Sequence, residues 1–177
     1  IVPPAGTITG SGSALALDPA QNNTFRALNR AWTLGGTVRM DTSAGGLYWV
    51  SGLSGAQAQT LVDDLALKVT RDSATGSPLR RPRVGLYRPW NASMDEGWTR
   101  WLLERYDFDF HSLRRSGVHA GDLRDRYDVI VLPAERPGSL KDGHAAGAVP
   151  DYYGRGLGDV GIRALETFVR TGALSSP

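Results

Sequence analysis

The sequence predicts an α/β protein whose parallel sheet carries helices on its faces. Two observations support this class. Short apolar segments rich in β-branched residues alternate with stretches in which apolar residues recur at helical spacing. The connections between them are short, as in units where helices cover a parallel sheet. With 177 residues, the chain is also long enough to bury a core without disulfides or metal ions.

Residues 1–75 are predicted to form a small α/β unit. It begins with a loose lead-in over residues 1–13, which are rich in Pro, Gly, Ser and Thr. Strands are expected at residues 14–17, 37–40 and 47–50. Phe25, Leu28 and Trp32 share one helix face, which predicts a helix between about Pro19 and Gly35.

A second helix is expected at residues 55–68, where Leu61 and Leu65 lie one turn apart.

From Thr70 to Pro82 the chain has Ser, Thr, Gly, Pro and Arg without periodic apolar residues. This composition predicts a linker, with residues 76–82 as the junction between two units.

Residues 83–177 are predicted to form the second unit, which opens with a strand at residues 84–87. Ser93 with Glu96 three positions later is typical of a capping box and predicts the start of a helix. The apolar side chains of this helix lie at helical spacing and are predicted to pack in the core. They are Met94, Trp98, Trp101 and Leu102.

Two more strands and a last helix are expected further along the chain. The strands are residues 108–113 and 128–133. The second is an apolar run that ends at Pro133, and such a run predicts a buried strand. A long Gly-rich loop separates it from the last helix. The apolar face of that helix consists of Ile162, Leu165, Phe168 and Val169.

Composition narrows the possible functions. The net charge is only +2, and the densest basic run, Arg80, Arg81 and Arg83, is better explained as a solvated linker than as a nucleic-acid site. The chain has no cysteine, which excludes thiolate nucleophiles and cysteine metal ligands. No apolar run approaches the roughly 18 residues that span a bilayer. Neither a nucleic-acid nor a membrane partner is therefore expected.

The candidate ligand-binding residues follow the carboxyl ends of two predicted strands. Ligands of open α/β sheets bind beyond these ends. The residues that could line one pocket there, together with a later loop bearing a histidine, are Arg88, Trp90, Asn91, Ser93, Glu135, Arg136 and His144. The alternative interpretation is a polar rim without a ligand. For Ser93, helix capping is preferred over a role as a nucleophile.

Neither a metal nor a nucleotide cofactor is expected in this chain. His111, His119 and His144 are interpreted as surface residues, although His119 and Asp122 have the spacing of a ligand pair. The Gly-x-Gly-x-x-Gly run at residues 156–161 lacks the preceding strand that a dinucleotide site requires. It is instead interpreted as a flexible loop that leads into a helix. No catalytic residue is assigned.

Three segments, residues 83–101, 127–133 and 156–172, resemble the C-terminal region of bacterial proteins of the zinc carboxypeptidase (carboxypeptidase A-like) family. The run Pro-Trp-Asn-Ala-Ser-Met-Asp-Glu-Gly-Trp-Thr-Arg-Trp at residues 89–101 is the most specific part. In that family a domain similar to class I glutamine amidotransferases follows the peptidase domain. The resemblance therefore implies a flavodoxin-like second unit, truncated after Gly172, and a secreted or periplasmic location.

The resemblance also implies a function. The family's zinc motif and the amidotransferase cysteine have no counterpart here, so zinc is expected only in the parent peptidase domain. The chain is then a non-catalytic accessory domain that packs on the missing peptidase domain or presents peptide to it. Two alternatives stay open: a stand-alone hydrolase using a cleft at the strand ends, and a small-molecule or peptide binding module.

Overall fold

The computed structural model describes residues 4–43, 45–145 and 147–173. Contacts between residues divide the chain into two units, and the mixed α/β class predicted from the sequence is confirmed. The first unit runs to Arg81 and includes Arg105–Phe108, and the second comprises Pro82–Glu104 and the residues from Asp109 onward. Within the described ranges, no helix is both long and apolar enough to cross a membrane.

The first unit contains a mixed sheet with two helices. In chain order its elements are β1 (Thr7–Gly10), β2 (Ala14–Leu17), α1 (Asn23–Thr33), β3 (Thr37–Asp41), β4 (Leu47–Ser51), α2 (Gly55–Asp64), β5 (Lys68–Asp72) and β6 (Ser77–Leu79). The strand order is β1-β5-β2-β4-β3-β6, and of these pairs only β1 with β5 is parallel among the described residues. The prediction of a parallel sheet is therefore wrong for this unit.

The boundaries in this unit depend on turns that periodicity does not show. α1 begins at Asn23 rather than near Pro19, because Asp18 accepts hydrogen bonds from the backbone of Ala20 and Gln21 and holds a turn there. α2 ends at Asp64, and Ala66 then adopts a left-handed φ of 50° before β5 starts. A helix continuing to Lys68 is therefore wrong.

Three strands form in stretches that were not expected to be strands. β1 lies in the predicted lead-in and pairs with β5, and β6 lies in the predicted linker and pairs with β3. β5 itself occupies the end of the predicted helix and the start of the linker expected from Thr70. β1 does carry a strand signal, since Thr7, Ile8 and Thr9 are β-branched, but the flanking Pro, Gly and Ser residues favoured the interpretation as a lead-in. β6 has little signal of its own, and pairing with β3 supplies the hydrogen bonds that fix it.

Leucine, valine and alanine side chains form the core of the first unit between the sheet and its helices. Its most deeply buried members include Leu15, Leu17, Val50, Leu61, Val62 and Leu67. Leu28 faces this core, whereas Phe25, predicted for the same face of α1, is partly exposed and meets the Tyr48 ring edge-on at 6.0 Å.

Asp107 holds an ionic cluster on the first unit. Its Oδ2 accepts hydrogen bonds from Arg26 Nε at 2.8 Å and Arg30 Nε at 2.7 Å, and the neighbouring Tyr106 carbonyl accepts one from the buried Asn29. Burial acts to raise the pKa of Asp107, but the hydrogen bonds from the two arginines outweigh it and lower that pKa. The carboxylate therefore stays ionised in the folded chain.

Replacing Asp107 with Asn is expected to lower the free energy of unfolding at pH 7 by about 1–2 kcal/mol, since two charged hydrogen bonds weaken at a partly exposed site. A lowered folded pKa gives stability that is fully present above the unfolded pKa of about 3.9 and is lost as pH falls through the folded value. Urea unfolding at pH 7 and pH 3 measures both effects. The exposed Asp109→Asn serves as control, and a cost of Asp107→Asn that is as large at pH 3 as at pH 7 contradicts the assignment.

The second unit is built on a parallel three-stranded sheet with the order β8-β7-β9. Its elements are β7 (Val84–Tyr87), α3 (Met94–Arg105), β8 (Phe110–Leu113), α4 (Arg115–His119), α5 (Leu123–Arg126), β9 (Val129–Val131), α6 (Pro137–Asp142), α7 (Asp151–Gly154) and α8 (Gly158–Ala173). The last residue of α3, Arg105, is grouped with the first unit by its contacts. The strands predicted at 84–87, 108–113 and 128–133 are confirmed with small shifts of their ends.

The central strand β7 is buried along its whole length, as its apolar run predicts. Gly85 allows the Tyr127 ring to lie against the strand, since a Cβ there would be 3.1 Å from Tyr127 Cδ1. At the start of the strand, the backbone N–H of Arg83 donates to Asp128 Oδ2 at 2.8 Å, and its guanidinium pairs with the same carboxylate. These contacts fix β7 and β9 side by side.

Three burial predictions in the second unit are wrong. β9 pairs with β7 on one side and is at the edge of the described sheet, which leaves Val129 and Leu132 exposed rather than buried. In α8, Phe168 is buried but Val169 faces solvent. The apolar residues of α3 are exposed as well, namely Met94, Trp98, Trp101 and Leu102.

Candidate ligand-binding site

The carboxyl ends of the three parallel strands define one edge of the second unit. Val84 of β7 aligns with Phe110 of β8 and with Val129 of β9, so the loops after all three strands leave from the same edge. The chain crosses from β8 on one side of β7 to β9 on the other. A reversal of this kind leaves a crevice beyond the carboxyl ends of the strands, where ligands of α/β sheets bind.

The loop after β7 is held at both of its ends. The Arg88 N–H donates to the Leu113 carbonyl at 2.9 Å, which ties the loop to the end of β8. Ser93 Oγ accepts a hydrogen bond from the Glu96 N–H at 3.2 Å, so the predicted cap of α3 is confirmed. The Glu96 carboxylate accepts a hydrogen bond from Arg100 on the next turn of α3.

This loop lines a cavity of about 650 Å³, which we call the loop cavity. Its lining consists of Arg88, Pro89, Trp90, Asn91, Ala92, Ser93, Met94, Glu96 and Arg114. The structure therefore brings together four of the residues that the sequence suggested for ligand binding: Arg88, Trp90, Asn91 and Ser93. The volume is within the usual range for small-molecule sites.

A second cavity of about 480 Å³, which we call the arginine cavity, shares Trp90 and Arg114 with the first. Its lining consists of Trp90, Arg114, Arg115, Ser116, Tyr152 and Arg155. The two arginines at positions 114 and 115 directly follow β8, while Tyr152 and Arg155 come from α7 and the residue after it. Among the described residues, no carboxylate side chain lines this cavity.

Arg114 is fixed between the two cavities. Its guanidinium carbon lies 4.0 Å from the centroid of the Trp90 ring, and Nη1 donates to the carbonyls of Arg88 at 3.3 Å and Pro89 at 3.1 Å. Burial, followed by the nearby charge of Arg88, lowers the pKa of Arg114. The charge of Glu96, which lines the loop cavity, acts in the opposite direction, so the arginines at this edge lie beside a carboxylate.

Arg115 has a donor without an acceptor. Its Nε–H is buried and meets no hydrogen-bond acceptor in the described part of the chain. The side chain of Tyr87 at the end of β7 is buried, and burial raises the pKa of its hydroxyl, whereas the charge of Arg115 acts to lower that pKa. Tyr87 therefore stays neutral at physiological pH, and it does not offset the arginine charge.

Three predicted residues do not line either cavity. Glu135 is half-buried, and its charge acts on Tyr87 in the direction that raises the pKa of the hydroxyl. Arg136 is exposed and immediately precedes α6. His144 is half-buried, and its backbone N–H donates to the Gly154 carbonyl at 2.7 Å.

The histidines do not assemble a metal site. Throughout residues 4–43, 45–145 and 147–173, no group of three or more His, Asp or Glu side chains could hold a metal ion. His119 is half-buried at the end of α4, where its Nε2 lies 2.6 Å from the Leu157 carbonyl. Of the three predicted surface histidines, His111 is exposed, whereas His119 and His144 are half-buried and that prediction is wrong for them; for His119 the reason is that α8 begins beside it.

The residues that sequence reasoning missed fall into two groups. Arg114 and Arg115 follow a strand that was predicted, so applying the carboxyl-end rule to that strand as well would have found them. Tyr152 and Arg155 lie in a long Gly-rich region, and only the folded chain brings them to the strand ends. No local pattern marks them.

No protein-family model, no curated protein and no solved structure matches this chain. The fold and the two cavities define its class: an α/β protein with an arginine- and aromatic-lined cleft beyond the carboxyl ends of a parallel sheet. Such a cleft suits a ligand that combines negative charge with a flat apolar surface.

Proposed function

We propose that this chain is a non-catalytic accessory domain of a zinc carboxypeptidase-like metallopeptidase and that it packs on the peptidase domain of the same polypeptide. The observation that carries the proposal is the outer face of α3, which we call the α3 face. It consists of Met94, Trp98, Trp101 and Leu102, which are 79%, 63%, 54% and 50% exposed. Contiguous apolar surface of this kind marks an interaction site in water-soluble proteins.

The α3 face points outward because the inner side of the helix is occupied by an ionic pair. Glu96 is buried and pairs with Arg100. The Arg100 guanidinium donates to Ser112 Oγ at 3.1 Å and lies 5.6 Å from the centroid of the Phe110 ring, both on β8. With polar groups packed against the sheet, the apolar stripe of the amphipathic helix is left for a partner.

The resemblance to the zinc carboxypeptidase family indicates which partner would cover the α3 face, namely the peptidase domain. Residues 89–101, its most specific run, include three of the four residues of the α3 face. Two tryptophans 6.0 Å apart, edge to face, also fit the composition of interface hot spots. We further propose a flavodoxin-like fold for the second unit, since its parallel order β8-β7-β9 matches the first three strands of that topology, and a secreted or periplasmic location.

Zinc content and carboxypeptidase activity test this function, measured on this chain and on the longer natural polypeptide that the resemblance implies. We expect zinc and activity in the longer form only, because the described residues offer no ligand set for the metal. Stoichiometric zinc bound by this chain alone would contradict the accessory role. It would direct attention to His111, His119, Asp122 and His144.

A second candidate function is a small-molecule or peptide binding module, and the two cavities favour it. Arg88 and Asn91, two of the groups suggested for ligand recognition, lie in the loop cavity, and Arg114 and Arg115 line the arginine cavity. The two functions are compatible, since the cavities and the α3 face are formed largely by different side chains. Met94 alone belongs to both.

A further inference from the structure

We propose that the rim of the arginine cavity binds a proline-rich peptide segment in the extended polyproline II conformation, with its pyrrolidine rings packed between Trp90, Tyr152 and Tyr153. We call these three residues the aromatic triad. The proposal rests on the binding-module function, for which it names the class of ligand, and it is independent of the α3 face. The sequence suggested Trp90 alone, whereas the two tyrosines reach it only in the folded chain.

The aromatic triad is one ordered surface. The Trp90 ring lies 5.7 Å from Tyr152 and 4.8 Å from Tyr153 between centroids, and the two tyrosines lie 5.0 Å apart. The guanidinium carbon of Arg114 lies 4.0 Å from the centroid of the Trp90 ring, and its Nη1 donates to two carbonyls of the same loop. The Gly154 carbonyl, at the end of α7, accepts a hydrogen bond from a neighbouring loop. A ligand that packs on rings held in this way orders few side chains when it binds.

The three rings are open to solvent and steeply inclined to one another. Trp90, Tyr152 and Tyr153 are 38%, 75% and 47% exposed. Tyr153 stands at 83° to Trp90 and at 89° to Tyr152, and the angle between Trp90 and Tyr152 is 53°. Rings at such angles form crevices instead of one flat platform. Aromatic-lined grooves of this kind accept the rings of successive prolines, whereas a sugar ring stacks best on a flat aromatic face.

The polar edges of the triad are all able to donate hydrogen bonds. The Trp90 indole N–H and the hydroxyls of Tyr152 and Tyr153 make no hydrogen bond within the described part of the chain. A polyproline II segment has no internal hydrogen bonds, so its carbonyls are free to accept, and its prolines have no N–H to donate. Exposed donors beside aromatic crevices are therefore complementary to such a segment.

The charge around the triad favours neutral or acidic residues beside the prolines. Arg88, Arg114 and Arg115 line the two cavities, and Glu96 is the one carboxylate among their described lining residues. Glu96 is itself paired with Arg100. A proline-rich segment that also carried lysine or arginine would therefore meet like charge at this edge of the sheet.

Titration of the isotope-labelled chain, followed by nuclear magnetic resonance, tests the proposal. The probes are capped decaproline, the same peptide with glutamate or with lysine at both ends, a flexible Gly-Ser peptide of equal length, and the neutral oligosaccharide maltohexaose. We expect decaproline to shift the indole N–H signal of Trp90 and the Gly-Ser peptide to leave it unchanged. The glutamate-flanked peptide should bind more tightly than the lysine-flanked one, and this difference should shrink as salt is raised.

Variants of the triad locate the binding. Tyr152→Ser and Tyr153→Ser should each weaken decaproline binding about tenfold, because each removes one wall of a crevice. Tyr152→Phe keeps the ring and removes the hydroxyl, so a loss of about threefold is expected. Phe25→Ser is the matched control, since it removes a partly exposed ring from an edge-to-face pair of the first unit and should leave the affinity unchanged. Thermal unfolding verifies that each variant is folded, and Tyr152→Ser, at the more exposed position, decides the question should Tyr153→Ser fail to fold.

Four outcomes overturn the assignment. Binding of the Gly-Ser peptide as tight as that of decaproline would retain a peptide-binding module but reject the preference for proline. Binding of maltohexaose without binding of decaproline, lost in Tyr152→Ser, would assign the triad to glycans. Decaproline binding that survives in both serine variants would place the site elsewhere. Absence of binding by every probe to the folded chain would contradict both the ligand class and the binding-module function.

Discussion

Replacing Leu157 with alanine is expected to lower the free energy of unfolding of the second unit by about 2–5 kcal/mol. Leu157 is fully buried and packs in a core that includes Leu113, Val118, Leu123 and Phe168. Its removal leaves a cavity among side chains from β8, α4, α5 and α8, which cannot all move inward to fill it. Such a large cost is typical of a central core position.

The backbone around Leu157 makes collapse of that cavity more difficult. Its N–H donates to the Leu140 carbonyl at 2.8 Å, and its carbonyl lies 2.6 Å from His119 Nε2. These contacts hold the segment before α8 against α6 and α4. The residue therefore joins helices that are distant in sequence, and alanine keeps the backbone contacts while removing the packing.

Urea unfolding combined with amide hydrogen exchange in the second unit measures the effect. Val169→Ala on the same helix is the matched control, because Val169 is 64% exposed and its truncation should change stability by at most about 0.5 kcal/mol. Equal costs for the two variants would show that the segment before α8 is not part of the core.

The burial of Leu157 could not be predicted from the sequence. It lies in the glycine-rich run at residues 156–161, which was interpreted as a flexible loop leading into a helix. The helix was predicted correctly, but a single leucine between glycines carries no periodic signal. Its burial depends on α4 and α6, and local composition does not contain that information.

Local signals predicted the beginning of the second unit well for a physical reason. The buried strand β7 and the cap at Ser93 each depend on residues within a few positions of one another, so the pattern and its cause are both local. The same reasoning placed Arg88, Trp90, Asn91 and Ser93 at one edge. Glu135 and His144 depend on the path of a long loop, and neither lines the cavities.

The periodicity of α3 was real, but its interpretation as core was wrong. Helical spacing shows that apolar residues share a face, and it does not show what that face contacts. In α3 the inner side contains the Glu96–Arg100 pair, whose spacing of four residues is common on solvated helix surfaces. Because this ion pair faces the sheet, the apolar face of α3 points outward, which is the reverse of the usual orientation of an amphipathic helix.

Replacing Trp98 and Trp101 together with serine is expected to weaken packing on the peptidase domain by about 100-fold or more, while changing the stability of this chain little. Buried tryptophans at interfaces contribute about 2 kcal/mol or more each when truncated, and the effects of neighbours do not add simply. In the isolated chain both rings are exposed, and loss of their mutual edge-to-face contact costs at most about 1 kcal/mol.

The measurement has two parts, which together separate docking from folding. Urea unfolding of this chain gives the stability, and titration of the chain onto the separately expressed peptidase domain gives the affinity. Val169→Ser removes exposed apolar surface from α8 and should leave both unchanged. If Trp98 and Trp101 were core residues, as their spacing first suggested, the double variant would lose several kcal/mol of stability. Retained stability with unchanged affinity would instead reject the α3 face as the docking surface.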